Sequence, residues 1–360
     1  MLLHTKDLSR SMLNEWVFRN RVLVNVLKTG ITGGLVYLLV FYFNIPYGLW
    51  IVVTVFVVMG PIPQLGGAIN QGMNRIYGTI VGGLLGFLVF IVFGHRLVVD
   101  ALFILLALIV LSLYTFPKSP QATIVAIITF VLVIGTPHGN IEVALWRSGN
   151  VALGGIIGLF SSYLFFPIFA SRDFHAYTLN ILKELTELYA IQTRSKSYDQ
   201  KEISLVLSKA IINIQTHRSL VKDAVRESRK FRKNQEKLNL VIQYERRLLS
   251  VLELLFDSPL SKNQDVNINL QFQLIKHQQE AILSNCNAFI YAFESRNKIN
   301  IEPVDFHLDQ VLKELKQQSS SDVFNTGLGP FAYVWLNYQF ALQFKNLRLL
   351  LDHLFMNQQD

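Results

Sequence analysis

Two stretches of this chain share one pattern, MNRIYGTIVGGLLGF at residues 73–87 and LWRSGNVALGGIIGL at residues 145–159. When the sequence is aligned with itself at an offset of 72 residues, Arg75 aligns with Arg147. Three glycines align in the same way, Gly82 with Gly154, Gly83 with Gly155 and Gly86 with Gly158. Both stretches are mostly apolar, as in helices that lie in lipid. They predict an internal duplication, and the alternative is a chance likeness between two glycine-rich membrane helices.

The first half of the chain contains six apolar segments that are candidates to cross a bilayer, since about 20 apolar residues span the hydrocarbon core. They are residues 23–43, 47–63, 76–94, 98–116, 121–137 and 145–169. If three spans form each copy, the two copies run in opposite directions through the bilayer. The sequence therefore predicts an all-α membrane protein with six transmembrane helices in a 3+3 inverted repeat, a construction that recurs in transporters.

Glycine and proline interrupt the second and fifth of these segments at corresponding places, at Gly60–Pro63 and at Gly135–Pro137. Helix breaks in transporters commonly lie close to the substrate site. We therefore expect the substrate to pass near these two breaks.

Charge divides the chain near residue 170. Residues 1–170 carry nine Lys and Arg against four Asp and Glu, whereas residues 171–360 carry 24 against 21. We expect a cytoplasmic N-terminal segment (1–22), a transmembrane domain (23–170) and a cytoplasmic helical bundle (171–360). The positive-inside rule places both termini in the cytoplasm of a bacterial inner (plasma) membrane, because most basic residues outside the spans fall on one side; these are Lys6, Arg10, Arg19, Arg21, Arg75, Lys118 and Arg172.

Arg75 and Arg147 are the side chains most able to carry chemistry. Each is expected to begin a glycine-rich span, where its guanidinium fork and the free N–H groups of a helix start would both attract a carboxylate. The alternative is that both side chains extend to lipid headgroups and only fix the topology. Lys28 is a further candidate for the anion pathway, or a second headgroup contact, and Gly78 and Thr79 lie beside Arg75 in the proposed pathway.

Asp100 and Glu142 lie near the outer ends of spans, where they could relay protons for coupled export or simply occupy the interface. Glycines spaced by four residues let helix backbones approach closely, so we expect a packing role for Gly82, Gly83, Gly86, Gly154, Gly155 and Gly158. His95 and His138 lack the cysteine or carboxylate partners of a metal site, so the sequence predicts no metal and no cofactor.

Several protein classes are excluded by the sequence. It contains no Gly-x-x-x-x-Gly-Lys-Ser/Thr loop, no Gly-x-Ser-x-Gly and no His-Glu-x-x-His, so it predicts no enzyme. The second half has a net charge of only +3 and no long basic stripe, which argues against a nucleic-acid partner.

The run RESRKFRKNQEK at 226–237 is expected to be a solvated helix face, the alternative being contact with anionic lipid headgroups.

Residues 45–87 resemble the fusaric acid resistance and aromatic acid exporter family, which includes plant aluminium-activated malate channels. The shared marks are Ile-Pro-Tyr-Gly-Leu-Trp at 45–50, a Trp-x-x-x-Thr spacing from Trp50 to Thr54, and Asn-Arg-x-x-Gly-Thr at 74–79. The resemblance implies six-helix membrane units, a helical cytoplasmic domain, anionic substrates, and an anion path lined by basic residues such as Arg75.

Many bacterial members of this family hold two six-helix units in one chain, whereas this chain holds one, so the resemblance implies a homodimer. Exporters of the family often work beside a periplasmic adaptor. The plant channels carry a Trp-Glu-Pro motif, and here only Ile301-Glu302-Pro303 corresponds to it, so their gating does not carry over.

The sequence thus predicts a transport protein in contact with membrane lipids that exports organic carboxylates, aromatic acids among them. Two alternatives stay open. One is a passive anion channel of the malate-channel type, and the other is a membrane-anchored scaffold that transports nothing.

Overall fold

The computed structural model describes residues 20–60, 64–93, 97–114, 119–135, 141–164, 167–193, 200–258, 273–295, 306–318 and 329–356, and within these ranges it contains helices and short links but no strand. The chain divides into two compact units, Met1–Ala170 and Ser171–Asp360, at the position where the composition changes. Several residues of the sequence analysis lie outside the described residues, namely Lys6, Arg10, Arg19, His95, Arg96, Lys118, His138 and 301–303.

Six helices make up the described part of the first unit. They are α1 (Arg21–Tyr42), α2 (Leu49–Met59), α3 (Leu65–Phe93), α4 (Leu97–Tyr114), α5 (Pro120–Ile134) and α6 (Ile141–Leu164). By length and composition, α1 and α3 can cross a membrane, whereas α2, α5 and residues 98–110 of α4 are shorter apolar helices. At 1.5 Å per residue, α2 and α5 measure about 16 and 22 Å, less than a hydrocarbon core of about 30 Å. The count of six spans therefore stays a prediction.

Two boundaries of the sequence analysis are wrong. The third segment does not begin at residue 76, because α3 begins at Leu65 and residues 65–75 are helical. Hydropathy marks only the lipid-like part of a helix, while LGGAINQGMNR contains no proline and can continue the helix as a more polar extension. In the second segment the helix ends at Met59, and Gly60 lies outside it.

The first unit is more polar inside than outside. On α1, the buried face carries Asn25, Lys28, Thr29 and Thr32. The exposed face of the same helix is apolar and includes Val22, Leu23, Val26, Leu27, Ile31, Leu35 and Leu38. In water this arrangement would expose apolar surface and bury polar groups at a cost, whereas in lipid it is favourable. The first unit is therefore built for a bilayer.

Glycines hold the first unit together at two matching helix pairs. Gly82 of α3 lies against the backbone of Ala126 in α5, and Gly154 of α6 lies against Thr54 and the carbonyl of Ile51 in α2. In both places a Cβ would collide with backbone atoms. The offset of 72 that relates Gly82 to Gly154 also relates Thr54 to Ala126, so the two contacts are counterparts of each other.

The contact between α3 and α6 is reciprocal in the same way. The nearest atom to a Cβ on Gly83 would be Ser148 Oγ at 3.8 Å, and the nearest to one on Gly155 would be Ile76 Cδ1 at 3.6 Å. Adding 72 to Gly83 gives Gly155, and subtracting 72 from Ser148 gives Ile76, so the offset converts one contact into the other. Helix α1 packs on α2 as α4 packs on α5. These contacts have the form that two copies related by a pseudo-two-fold axis would give.

The second unit is a helical bundle. Its described helices are α7 (Ala170–Thr193), α8 (Gln200–Glu227), α9 (Arg229–Lys233), α10 (Gln235–Asp257), α11 (Gln273–Ser295), α12 (Leu308–Gln318) and α13 (Gly329–Leu351), followed by a π-helical turn (Asp352–Met356). The apolar stripe predicted along α10 is buried, at Leu238, Val241, Leu248, Leu252 and Leu255.

Residues 200–256 do not form one continuous helix. Ser228 adopts an extended conformation, with φ −124° and ψ 126°, between α8 and α9. Asn234 then separates α9 from α10. Serine and asparagine are common at helix ends because their side chains compete with helical hydrogen bonds. The chain turns here, and α8 and α10 pack against each other.

Candidate functional site

Arg75 and Arg147 do not begin their helices, and the expectation that they do is wrong. Arg75 lies ten residues after the first residue of α3, and Arg147 lies six after the first residue of α6. Ten residues of helix measure about 15 Å, and the favourable effect of a helix start fades within its first turn. Any anion held here must be attracted by the guanidinium groups rather than by helix termini.

The two arginines lie on helices that pack against each other, α3 and α6. Their positive charges are near enough to repel each other. Arg147 is buried, with 7% of its surface exposed. Arg75 is half-buried, and its Nε is enclosed with no hydrogen-bond partner. In the part of the chain that the structure describes, no carboxylate lies within ion-pairing distance of either guanidinium.

Buried charges in proteins are normally paired, since their desolvation is costly. Two enclosed cations without an acidic partner among the described residues therefore give a positive potential inside a unit whose outer surface is apolar. Such a site suits an anion, and the planar fork of arginine suits a carboxylate in particular.

Trp50 contacts one of the two arginines and not its counterpart. The guanidinium carbon of Arg147 lies 3.7 Å from the centroid of the Trp50 ring. The residue that the offset of 72 relates to Trp50 is Ala122, so Arg75 has no matching aromatic surface. A desolvated cation–π contact contributes about 2 kcal/mol. Arg147 is therefore held in place, while Arg75 is less restrained.

The sequence analysis missed this contact, because Trp50 by itself is typical of the aromatic belt at a membrane interface. Trp50 and Arg147 are far apart in the sequence, and no local pattern connects them. The link between their helices is reinforced nearby, where Asn150 of α6 donates a hydrogen bond of 2.8 Å to the carbonyl of Pro46, just before α2.

A polar cluster ties α3 to the start of α5 next to Arg75. Asn74 Nδ2 donates to Asn70 Oδ1 and to Gln121 Oε1, both at 3.3 Å. Ser119 Oγ donates to Asn74 Oδ1 at 2.9 Å. These bonds satisfy polar groups in an otherwise apolar unit and fix the helix that carries Arg75.

Lys28 is buried on α1. One turn earlier, Asn25 donates hydrogen bonds of 3.1 and 3.2 Å to the carbonyls of Met59 and Gly60, at the C-terminal end of α2. The partial negative charge of that helix end favours a nearby cation. Within the described residues nothing joins Lys28 to the arginine pair.

The other residues predicted for the pathway and for proton coupling are dispersed. Gly78 is a contact point with α5, since a Cβ there would lie 2.5 Å from the carbonyl of Ala122. Thr79 is buried, and its hydroxyl has no partner among the described residues. Asp100 is buried in the first turn of α4, whereas Glu142 is exposed in the first turn of α6.

The glycines predicted for packing fall into two groups. Gly82, Gly86, Gly154 and Gly158 each lie against a neighbouring helix with less than ordinary van der Waals space for a Cβ. Gly83 and Gly155 lie at the contact of α3 with α6 but leave ordinary van der Waals space. The first group sets how closely the helices approach.

The chain is thus a helical membrane protein whose first unit encloses two arginines without an acidic partner among the described residues. Residues 35–161 match the family model described as fusaric acid resistance protein-like. The resemblance drawn from residues 45–87 is therefore confirmed at the level of this family.

Particular relatives extend the likeness. The chain is similar to "Inner membrane protein YeeA" of Escherichia coli (strain K12), with 25% identity over 96% of this chain and 97% of that protein. It is also similar to the aluminum-activated malate transporters 13 and 12 of Arabidopsis thaliana, each with 28% identity, over 50% and 46% of this chain and 36% and 32% of theirs. These names describe membrane and transport proteins rather than enzymes, in agreement with the prediction that the chain is not an enzyme.

Proposed function

We propose that this chain moves organic carboxylate anions across a bacterial inner membrane, in the direction of export, with the anion passing beside Arg75 and Arg147. The observation that carries the proposal is that two enclosed guanidinium groups, on the packed helices α3 and α6, lack an acidic partner among the described residues of a unit with an apolar outer surface. A carboxylate that passes between them would find its charge balanced inside the bilayer.

Aromatic carboxylates are the substrates that we favour. The ring of Trp50 lies flat against Arg147, so a cation and an aromatic surface adjoin in one place. A carboxylate attached to a ring could use both, through an ion pair with Arg75 and a ring contact.

The proposed architecture is six spans in a 3+3 inverted repeat with both termini in the cytoplasm, two chains forming a homodimer, and an adaptor on the periplasmic side. The reciprocal contacts of Gly82 with Ala126 and of Gly154 with Thr54 support the repeat. The two short helices α2 and α5 end at Gly60 and Gly135. Helix breaks in corresponding spans are typical of transporters in which the substrate binds between repeats.

The test is flux of a radiolabelled aromatic acid, such as benzoate, in proteoliposomes that contain Arg75→Gln or Arg75→Lys. We expect glutamine to lower the initial rate at least about tenfold, which corresponds to about 1.4 kcal/mol, because the charge is lost. Lysine should retain part of the rate, because it keeps a positive charge but not the planar fork. Wild-type flux in Arg75→Gln, with the protein monodisperse and reconstituted to the same level, would contradict the proposal.

A passive anion channel is the second candidate, and the likeness to the malate transporters favours it. Both candidates require the arginine pair, and they differ in the driving force. Voltage-dependent anion currents without a proton gradient would favour the channel. A scaffold without transport would keep its cellular phenotype in Arg75→Gln.

A further inference from the structure

The structure points to a second binding surface, in the second unit. We propose that the turn between α8 and α10 binds anionic phospholipid headgroups at the cytoplasmic face of the membrane. This inference requires only that the first unit lies in a bilayer, so it would survive a failure of the transport proposal.

Basic side chains are concentrated at this turn, which we call the basic tip and define as residues 222–233. Six of its residues are basic and exposed, namely Lys222, Arg226, Arg229, Lys230, Arg232 and Lys233. Two are acidic, Asp223 and Glu227, so the basic tip has a net charge of +4. Because the whole of residues 171–360 has a net charge of only +3, the entire positive excess of the second unit lies in this turn.

The basic tip is held on a rigid base rather than on a loose loop. Phe231, at the centre of α9, is buried with 7% of its surface exposed. Its ring packs edge-on against Phe174, with centroids 5.7 Å apart, and against Phe355 at 6.2 Å. Arg232 donates hydrogen bonds of 3.3 Å to the carbonyls of Val225 and Arg226. Phe231 is therefore a fixed apolar anchor for the basic tip, and Lys230 Nζ lies over the neighbouring ring of Phe355, 5.8 Å from its centroid.

The anchor also identifies the end of the bundle that carries the basic tip. The backbone N–H of Ser171 donates to Glu227 Oε2 at 3.4 Å, and Phe174 contacts Phe231. The basic tip thus lies beside the first residues of the second unit. The last helix of the first unit ends at Leu164, and seven residues reach at most about 25 Å even when fully extended.

The chemistry favours a lipid surface over other anions. The six basic side chains are exposed at the tip of a helical hairpin, where many headgroups can be contacted at once. Arg226 pairs with Asp223 at 3.4 Å, while all six basic side chains of the tip are exposed to solvent. Clusters of this kind next to a membrane segment attract anionic lipids.

The experiment compares full-length protein in nanodiscs of phosphatidylcholine with protein in nanodiscs that contain phosphatidylglycerol, by hydrogen–deuterium exchange of residues 222–237. We expect exchange to slow at least about threefold in the anionic discs and to return to the neutral-disc rate in 0.5 M salt, because salt screens surface charge. Equal exchange in the two discs would overturn the proposal. Protection by added RNA in neutral discs, without an effect of phosphatidylglycerol, would overturn it in favour of a nucleic-acid partner.

Two triple charge-reversal variants distinguish an effect of the basic tip from a general effect of charge. The test variant is Arg229→Glu, Lys230→Glu, Lys233→Glu. The control is Lys201→Glu, Lys209→Glu, Lys276→Glu, at exposed positions outside the tip; Lys201 and Lys209 lie about 32 and about 20 Å before Lys222 along α8. The test variant should lose the lipid-dependent protection and the control should keep it, with equal circular dichroism. Equal loss in both variants would overturn the proposal.

Discussion

At the scale of single residues, the two buried arginines differ in what holds them. Arg147 lies on the ring of Trp50, whereas Arg75 has an enclosed Nε without a partner. We infer a division of roles, in which Arg147 is fixed and sets the local potential while Arg75 adjusts to the passing anion.

Trp50→Leu tests this division. Freed from its ring contact, Arg147 should sample several rotamers, so we expect the apparent KM for the anion to rise about tenfold with little change in maximal flux. Trp50→Phe, which keeps an aromatic face, should recover most of the affinity. An unchanged KM in Trp50→Leu, measured over a concentration series in proteoliposomes, would show that the contact is not used.

A second residue-scale feature is a buried proton-sharing pair in the bundle. Thr178 donates its hydroxyl to the carbonyl of Phe174 at 2.9 Å, so at 3.2 Å it can only accept from His217 Nε2. His217 Nδ1 then faces Glu245 Oε2 at 2.9 Å, and both side chains are fully enclosed. One proton is therefore shared between that nitrogen and that oxygen. Burial raises the pKa of Glu245, an effect that the adjacent His217 partly offsets.

Glu245→Ala should lower the free energy of unfolding by about 3 kcal/mol, because it leaves a buried imidazole nitrogen unpaired. Glu245→Gln can still donate a hydrogen bond to that nitrogen and should change stability by about 1 kcal/mol or less. The measurement is the thermal unfolding midpoint in detergent, and equal midpoints for the two variants would contradict the assignment.

The pH dependence of this pair has a defined sign. Since the pKa of Glu245 is raised in the folded state, the folded protein binds this proton more tightly than the unfolded chain does. Its contribution to stability is therefore greatest below the ordinary carboxyl pKa and is lost as the pH rises through the folded pKa. The stability of wild type relative to Glu245→Gln should accordingly fall with rising pH across that window.

At the scale of helices, close contact through glycine decides the arrangement of the first unit. A Cβ on Gly82 would meet the backbone of Ala126, which no rotamer change can relieve, whereas the nearest atom to one on Gly83 lies 3.8 Å away. Gly82→Leu should therefore reduce the yield of monodisperse protein at least about fivefold, through overpacking of α3 against α5.

Gly83→Leu is the matched control, one residue further along the same helix, and we expect it to fold much better. The same contrast should hold between Gly154→Leu, at the contact of α6 with α2, and Gly155→Leu, at the contact of α6 with α3. Gel filtration in mild detergent after equal expression gives the readout. If the variants of each pair behave alike, the glycines do not act through helix packing.

At the scale of the whole molecule, export against a gradient requires an energy source that no ATP-binding motif supplies. We expect a proton gradient to drive accumulation, with Asp100 as the coupling group because it is a buried carboxyl in the first unit. Asp100→Asn should abolish gradient-driven accumulation of benzoate while leaving exchange down its own gradient near the wild-type rate.

Glu142→Gln serves as the control for coupling, since Glu142 is exposed and its loss should leave accumulation intact. Conductive anion flux in the wild-type protein that does not depend on the proton gradient would instead establish the passive channel. Either result is compatible with the anion site that we propose at Arg75 and Arg147.

The sequence by itself determined that the first half is apolar helix that carries two arginines, that the second half is a helical bundle, and that the division falls near residue 170. These conclusions follow from composition and from the spacing of apolar residues, because both reflect the surroundings of each segment and not its contacts with distant segments. The same reasoning misplaced the starts of the helices that carry Arg75 and Arg147, because hydropathy does not detect the polar first turns of a helix.

Only the tertiary structure decided which residues meet. It packed the helices that carry Arg75 and Arg147 against each other, placed Trp50 on one arginine alone, and set the basic tip beside Ser171. Such contacts join side chains far apart in the chain, and their geometry depends on helix packing that is fixed by backbone contact at a few glycines. A sequence pattern records the glycines, but the collision that a Cβ would cause exists only once the neighbouring helix is in place.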